Sequence, residues 1–178
     1  MSMMSAPSTS GPLKVLFVCT ANICRSPYAE LYSRTLADPD LFTFDSAGVR
    51  GIPNAPMDPT MAGVLEADSS NFLSKALTRQ HVQWADVVLT MENSHRTYLI
   101  EDHPGAVKKL FTLGQFVARS SELSTGGLTV IAEANARRSL AKAEEDVADP
   151  FRRGSTVARE CADRLNELCT RLISNLSR

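Results

Sequence analysis

Val15-Leu16-Phe17-Val18-Cys19-Thr20-Ala21-Asn22-Ile23-Cys24-Arg25-Ser26-Pro27 is the stretch from which the rest of the chain can be read. Val15 to Val18 is an unbroken apolar run, the pattern of a strand buried on both faces of a parallel sheet. Pro27 suits the first turn of a helix, where a missing N–H costs nothing. The residues between form a tight strand-to-helix turn. In such a turn, main-chain N–H groups converge on one point that also faces the positive end of the helix. That point is an anion site, with a thiol at one rim and a guanidinium at the other. Arg25 can hold two oxygens of a tetrahedral oxyanion through its planar fork. Beside that positive field Cys19 is expected as the thiolate, the nucleophilic form. A thiolate inside a phosphate cradle points to phosphoryl transfer onto sulfur.

The whole string Cys19-Thr20-Ala21-Asn22-Ile23-Cys24-Arg25-Ser26-Pro27, followed by Ala29-Glu30, resembles the signature loop of the low-molecular-weight protein tyrosine phosphatases. The resemblance implies a single α/β domain, with a four-stranded parallel sheet doubly wound by helices on both faces. It also implies hydrolysis of phosphotyrosine through a phosphocysteine, without metal or cofactor, releasing inorganic phosphate. Cys19 is then the nucleophile and Arg25 the phosphate clamp, within a phosphate-binding loop running from Cys19 to Arg25. Asn22 is implied as the residue bracing the loop, and Asn tolerates the left-handed backbone such a turn needs. Ser26 is implied as the hydroxyl bonded to the cysteine sulfur. One position departs from the family pattern: Ala21 stands where glycine is usual, and alanine reaches positive φ less cheaply.

A thiolate attacking a phosphate ester needs a proton donor for the departing oxygen. His81, His95 and His103 form no motif and read as surface or satisfied core residues. The family uses an Asp in an Asp-Pro-aromatic motif, and the chain has three Asp-Pro pairs. Asp38-Pro39 ends the first helix, where a proline stop suffices. Asp58-Pro59 follows Ser46-Ala47-Gly48 and resembles the segment that opens the family's second helix. Asp149-Pro150-Phe151 alone carries a following aromatic and precedes the last helix. Asp149 is therefore expected as general acid and base, and Phe151 as a wall of the substrate cleft.

Cys24 shares the curled loop with Cys19, whereas five residues in extended form would hold the two too far apart for a disulfide, whose Cα atoms must lie within roughly 7 Å. Family members with a second loop cysteine show reversible protection of the nucleophile, which implies that Cys24 is a redox guard. Packing beneath the loop is the other reading.

With 178 residues and 43% hydrophobic content, the chain can build one sizeable core. A formal net charge of -1 gives no basic excess for nucleic acid. No apolar run reaches membrane-spanning length. Residues 1–12 read as a disordered leader without a signal pattern, and 13–178 as the phosphatase domain. Four cysteines, two in the loop and two far downstream, do not form a secreted disulfide framework, so the cytoplasm is expected.

Outward from the loop, strands are expected at Leu13–Cys19, Leu41–Asp45, Asp86–Met91 and Lys109–Leu113. Helices are expected at Pro27–Leu36, Met57–Glu66, Glu92–Ile100 and Ser155–Leu176. This alternation places a ligand at the carboxyl ends of parallel strands. Val157, Cys161, Leu165, Leu168, Leu172, Ile173 and Leu176 recur at helical spacing as the core face of the last helix. Residues 114–148 read as an insertion, with an Ala-rich helix over Leu128–Glu145. Val130, Ile131, Ala134 and Leu140 are expected to pack down, with Arg137, Arg138 and Lys142 facing out. The insertion is expected to border the cleft and help select the partner. Val49-Arg50-Gly51 replaces an aromatic that the family often has there, and Ser74 a histidine.

Two further chemistries share this fold. A thiol-dependent arsenate reductase needs cysteines in a mobile segment, whereas Cys161 and Cys169 lie on one helix, roughly 80° apart around its axis. Arginine phosphatases of the family carry a small polar residue where this chain has Ile23, and Ile23 favours an aryl phosphate. A non-catalytic phosphotyrosine-binding module would need neither Cys19 nor Asp149. The expected partner is a tyrosine-phosphorylated protein; bacterial relatives act opposite tyrosine kinases.

Overall fold

The computed structural model describes residues 11–178, so all but the last two residues of the expected leader lie outside the described residues. The apolar run becomes strand β1 (Leu13–Cys19), one of the two inner strands of a four-stranded sheet. Its neighbours are β2 (Phe42–Gly48) and β3 (Val87–Thr90), and β4 (Leu110–Thr112) pairs with β3. Every pairing is parallel, in the order β2-β1-β3-β4. The chain leaves β1 first toward one edge and later toward the other, so a crevice opens at the carboxyl end of β1.

Strand alternation divides the core in two. Val15, Phe17 and Cys19 face the larger cluster, which contains α1 (Arg25–Leu36) and the closing helix α7 (Gly154–Leu176); Leu16 and Val18 face the smaller one. Both faces of β1 are thus fully covered, which is why its sequence shows no polar alternation. Phe17, Phe44 and Phe42 stack in a row across β1 and β2, with centroids 6.2 and 5.9 Å apart.

Helix α2 (Pro59–Val64) is shorter than expected; Asp58 caps it by accepting the Met61 N–H at 3.0 Å, with Pro59 in the first turn. Two helices were not anticipated. In α3 (Arg79–Trp84), Thr78 forms a capping box with the His81 ring instead of the usual Glu or Gln. In α5 (Leu113–Ser120), Thr112 and Gln115 form a standard box directly after β4, and Phe116 and Val117 are buried. Helix α4 (Asn93–Asp102) follows β3.

The expected long helix after Leu128 is only α6 (Gly127–Ala136). Val130, Ile131 and Ala134 pack into the main core as expected, but Leu140 is 90% exposed. Arg138 does not face out. Its guanidinium lies 4.0 Å from the Phe111 ring centroid and donates to Leu110 O and Val107 O. This inward turn satisfies main-chain carbonyls and ends α6 early. Segment 114–148 contributes Phe116, Val117, Leu123, Val130, Ile131, Ala134 and Val147 to the core, and none of its residues lines the cleft described below.

Candidate active site

The loop after β1 is built so that its carbonyls point outward. Cys19 O, Thr20 O, Ala21 O and Ile23 O accept from Val49, Arg50, Ile52 and Asp58 N–H at 2.9, 2.9, 3.2 and 2.8 Å. The N–H groups of Thr20 to Cys24 have no main-chain acceptor among the described residues, which leaves them for an anion. Gly48 permits this strapping, because a Cβ there would sit 2.4 Å from Thr20 O.

Asn22 is fully buried at φ 59, the left-handed backbone that asparagine tolerates. Its Oδ1 accepts the Lys75 main-chain N–H at 2.8 Å, and its Nδ2 donates to Ser26 Oγ at 2.8 Å and Ser46 Oγ at 2.9 Å. Ser46 in turn donates to buried Glu30, whose carboxyl is pushed up by burial and which pairs with Arg34. Ser26 Oγ lies 2.9 Å from Cys19 Sγ. Ala21 has no positive φ, so alanine in place of glycine leaves the turn unstrained.

Arg25 is 1% exposed. Nη1 donates to Glu92 and to Val147 O, while Nη2 lies 3.9 Å from Asp149 Oδ2. Nε is buried without a partner. The guanidinium is thus anchored at one nitrogen, and its Nε/Nη2 edge is available to two oxygens of an anion. Glu92 and His95 were missed as site residues. Glu92 anchors Arg25. His95 Nδ1 accepts the Glu92 N–H at 3.1 Å, so Nε2 carries the proton toward Thr20 Oγ1, 2.8 Å away. Burial, and then Arg25, push His95 down to about 4, which keeps the ring neutral. The readable signal was a Glu-x-x-His at the carboxyl end of a strand adjoining β1, where α/β sites lie.

A cleft of about 250 Å³ opens over the loop, lined by Cys19, Thr20, Ala21, Ile23, Cys24, Arg25, Ile52, Asp149 and Phe151. The structure therefore brings the two distant predicted residues, Asp149 and Phe151, to the loop. Asp149 is half exposed, with Oδ1 accepting the Phe151 N–H at 3.1 Å. Ile52, not identified from sequence, forms part of the cleft wall. Ser74 holds that wall by donating to Ile52 O and accepting the Ala55 N–H at 2.9 Å. Of the other Asp-Pro pairs, Asp58 caps α2, and Asp38 accepts the Asp40 N–H on the surface.

Cys24 sits at the start of α1, and burial pushes its thiol up to about 12. Cys161 and Cys169 are buried on α7 and are likewise pushed up by burial to about 12, which suits packing and not a mobile relay. Among the described residues no helix is long and apolar enough to cross a membrane.

A thiol, a ring of free amides and an arginine fork at the carboxyl end of a parallel strand, with a carboxyl group brought over them, are the parts a phosphatase site needs. Residues 14–126 match the family described as low molecular weight phosphotyrosine protein phosphatase, and the chain belongs to that family. A protein-arginine-phosphatase of Geobacillus stearothermophilus is 32% identical over 170 residues, covering 93% of this chain and 97% of that protein. The low molecular weight protein-tyrosine-phosphatase PtpB of Staphylococcus aureus is 34% identical over 113 residues, 62% of this chain and 78% of PtpB. Among solved structures, the G. stearothermophilus YwlE arginine phosphatase superposes with a TM-score of 0.75 at 31% identity, covering 93% and 94% of the two chains. The low molecular weight protein tyrosine phosphatase from T. tengcongensis gives 0.72 at 30% identity, covering 92% and 99%.

Proposed function

We propose that this phosphatase hydrolyses phosphotyrosine in proteins, with Cys19 attacking phosphorus in line with the ester oxygen. The free amides and the Nε/Nη2 edge of Arg25 stabilise charge on the equatorial oxygens. Asp149 protonates the leaving phenolate, then acts as base on the water that cleaves the phosphocysteine. Each step balances: the S–P bond replaces the O–P bond, and water then replaces sulfur, releasing inorganic phosphate. A tyrosine-phosphorylated protein in the cytoplasm, such as a bacterial tyrosine kinase, fits this reading.

The observation that carries the choice of substrate is the cleft wall. Ile23, Ile52 and Phe151 make an apolar slot for an aromatic ring, and Asp149 is the lone carboxylate lining it. A phosphoarginine guanidinium is cationic and strongly hydrogen bonding, and apolar walls leave its donors unmet. The near full-length similarity to an arginine phosphatase supports the second reading, phosphoarginine. Kinetics on matched phosphotyrosine and phosphoarginine peptides decide between them, run with and without chelator to test independence from metal. Ile23→Thr is expected to lower the ratio of kcat/KM for phosphotyrosine over phosphoarginine by about tenfold, the scale of a few apolar contacts exchanged for a hydroxyl. An unchanged ratio would remove Ile23 as the selector.

We also assign Cys24 as a guard of the nucleophile. Peroxide oxidises Cys19 to a sulfenic acid, and the Cys24 thiol condenses with it, releasing water and forming a disulfide that added thiol reduces. After peroxide and then thiol, wild type is expected to recover most activity and Cys24→Ser little. Equal recovery, or a mass map without a Cys19–Cys24 link, leaves Cys24 as packing, the role its burial already supports.

A further inference from the structure

Three exposed arginines, Arg50, Arg152 and Arg153, lie within two residues of the cleft-wall residues Ile52 and Phe151. Arg50 follows β2, and its main-chain N–H is bonded to Thr20 O at 2.9 Å, which ties its backbone to the phosphate loop. Arg152 and Arg153 directly follow the wall residue Phe151. The Arg152 guanidinium lies 5.0 Å from the centroid of the Phe151 ring. Arg153 Nη1 reaches Asp149 O at 3.4 Å. All three side chains are exposed, and none has a carboxylate partner among the described residues.

The neighbouring carboxylates are already engaged. Glu92 pairs with Arg25, Asp58 accepts from Met61 N–H, and Asp146 accepts from Asn93 N–H at 2.9 Å. Asp149 faces the cleft itself. Those carboxylates are held by partners within the protein, whereas the guanidiniums of Arg50, Arg152 and Arg153 carry no ion pair among the described residues and stay open to a carboxylate of a partner. Arg152 also occupies a left-handed backbone at φ 57, a conformation that glycine or asparagine would hold more cheaply. Such a conformation at the edge of a site is an observation from which function can be inferred.

We propose that this rim is a docking surface for acidic residues flanking the phosphorylated residue of a protein substrate. Arg152 and Arg153 meet the chain on the Phe151 side, and Arg50 meets it on the Ile52 side. This inference rests on the reading of the site as a protein phosphatase given above. Exposed charges of this kind act mainly on encounter and on KM, and they weaken with salt.

The test uses phosphotyrosine peptides that differ only in flanking residues: acidic, neutral or basic. A small aryl phosphate with no flanks serves as control. Wild type is expected to give kcat/KM about fivefold higher on the acidic than on the neutral peptide, the scale of one or two exposed charge pairs. The advantage should vanish in about 1 M salt, where the Debye length is about 3 Å. Arg152→Glu is expected to erase or invert the preference while aryl phosphate turnover stays within about twofold. Because Arg152 rests on Phe151, Arg50→Glu provides a second variant that touches no wall residue, and the same flattening is expected. A flat flank series in wild type, or equal losses on peptide and aryl phosphate in both variants, overturns the rim.

Running the same flanks on phosphoarginine peptides keeps the two readings apart. Turnover of phosphoarginine alone, with a preference for acidic flanks, overturns phosphotyrosine as substrate and sustains the rim. Turnover of phosphotyrosine without any flank effect does the reverse.

Discussion

Cys19→Ser is expected to lower turnover of an aryl phosphate by at least roughly 10⁴-fold while an anion still binds. The loss is large because the proposed mechanism passes through a covalent bond to sulfur, and a serine hydroxyl at the same place lacks a base to ionise it. The nearest histidine is neutral and its Nε2 proton is directed at Thr20. Anion binding survives because the Thr20–Cys24 amides and the free edge of Arg25 do not depend on the thiol. Steady-state rates and calorimetric titration with a phosphotyrosine peptide measure the two quantities separately. Activity near wild type would refute Cys19 as nucleophile, and loss of binding together with loss of rate would show instead that the loop had collapsed.

Asp149→Ala is expected to slow phosphotyrosine hydrolysis by about 10²- to 10⁴-fold, the usual worth of a general acid. The deficit should shrink on a substrate whose leaving group departs without a proton, because the step that Asp149 assists is then easy. Wild-type rate should rise and then fall with pH, since Cys19 must be ionised while Asp149 is protonated in the first step. The falling limb should disappear in Asp149→Ala. Asp58→Ala should instead reduce stability by about 1 kcal/mol through loss of the α2 cap, and Asp38→Ala should do little. If Asp58→Ala or Asp38→Ala removed the falling limb, the assignment of Asp149 would be wrong.

What could be read from the chain and what could not follow from the range of the interactions involved. Val15 to Pro27 was legible because a buried strand, an anion loop and a helix start are local events, each with its own residue signature. The placement of Asp149 at the cleft was legible because a short motif, Asp-Pro-aromatic, marks it among three candidates. Glu92 was not, since its significance lies in meeting Arg25 across 67 positions of sequence. Ile52 escaped notice because an exposed apolar residue in a loop carries no local signal until the fold sets it against the cleft. The end of α6 was misplaced for a related reason. Ala-rich composition favours continuing the helix, but Arg138 gains the Leu110 and Val107 carbonyls and the Phe111 face by turning inward. Conversely, the Thr112–Gln115 box of α5 was there to be read.

Direction, and not only proximity, is built into the hydrogen bonds beneath the loop. The Lys75 main-chain N–H can only donate, so the Asn22 oxygen must face it. The Asn22 amide nitrogen then faces the two serines, and both its protons are spent on their oxygens. Ser46 sends its own proton onward to Glu30, and the Ser26 hydroxyl faces the sulfur of Cys19. An amide 53 residues away in sequence from Asn22 thereby sets which end of the Asn22 side chain faces the two serines. In the proposed reaction the Ser26 hydroxyl can donate to the sulfur when that sulfur carries negative charge. A sulfur that leaves as an anion in the second step of the proposed mechanism thus has beside it a hydroxyl that is itself held in place through Asn22 by the Lys75 main chain.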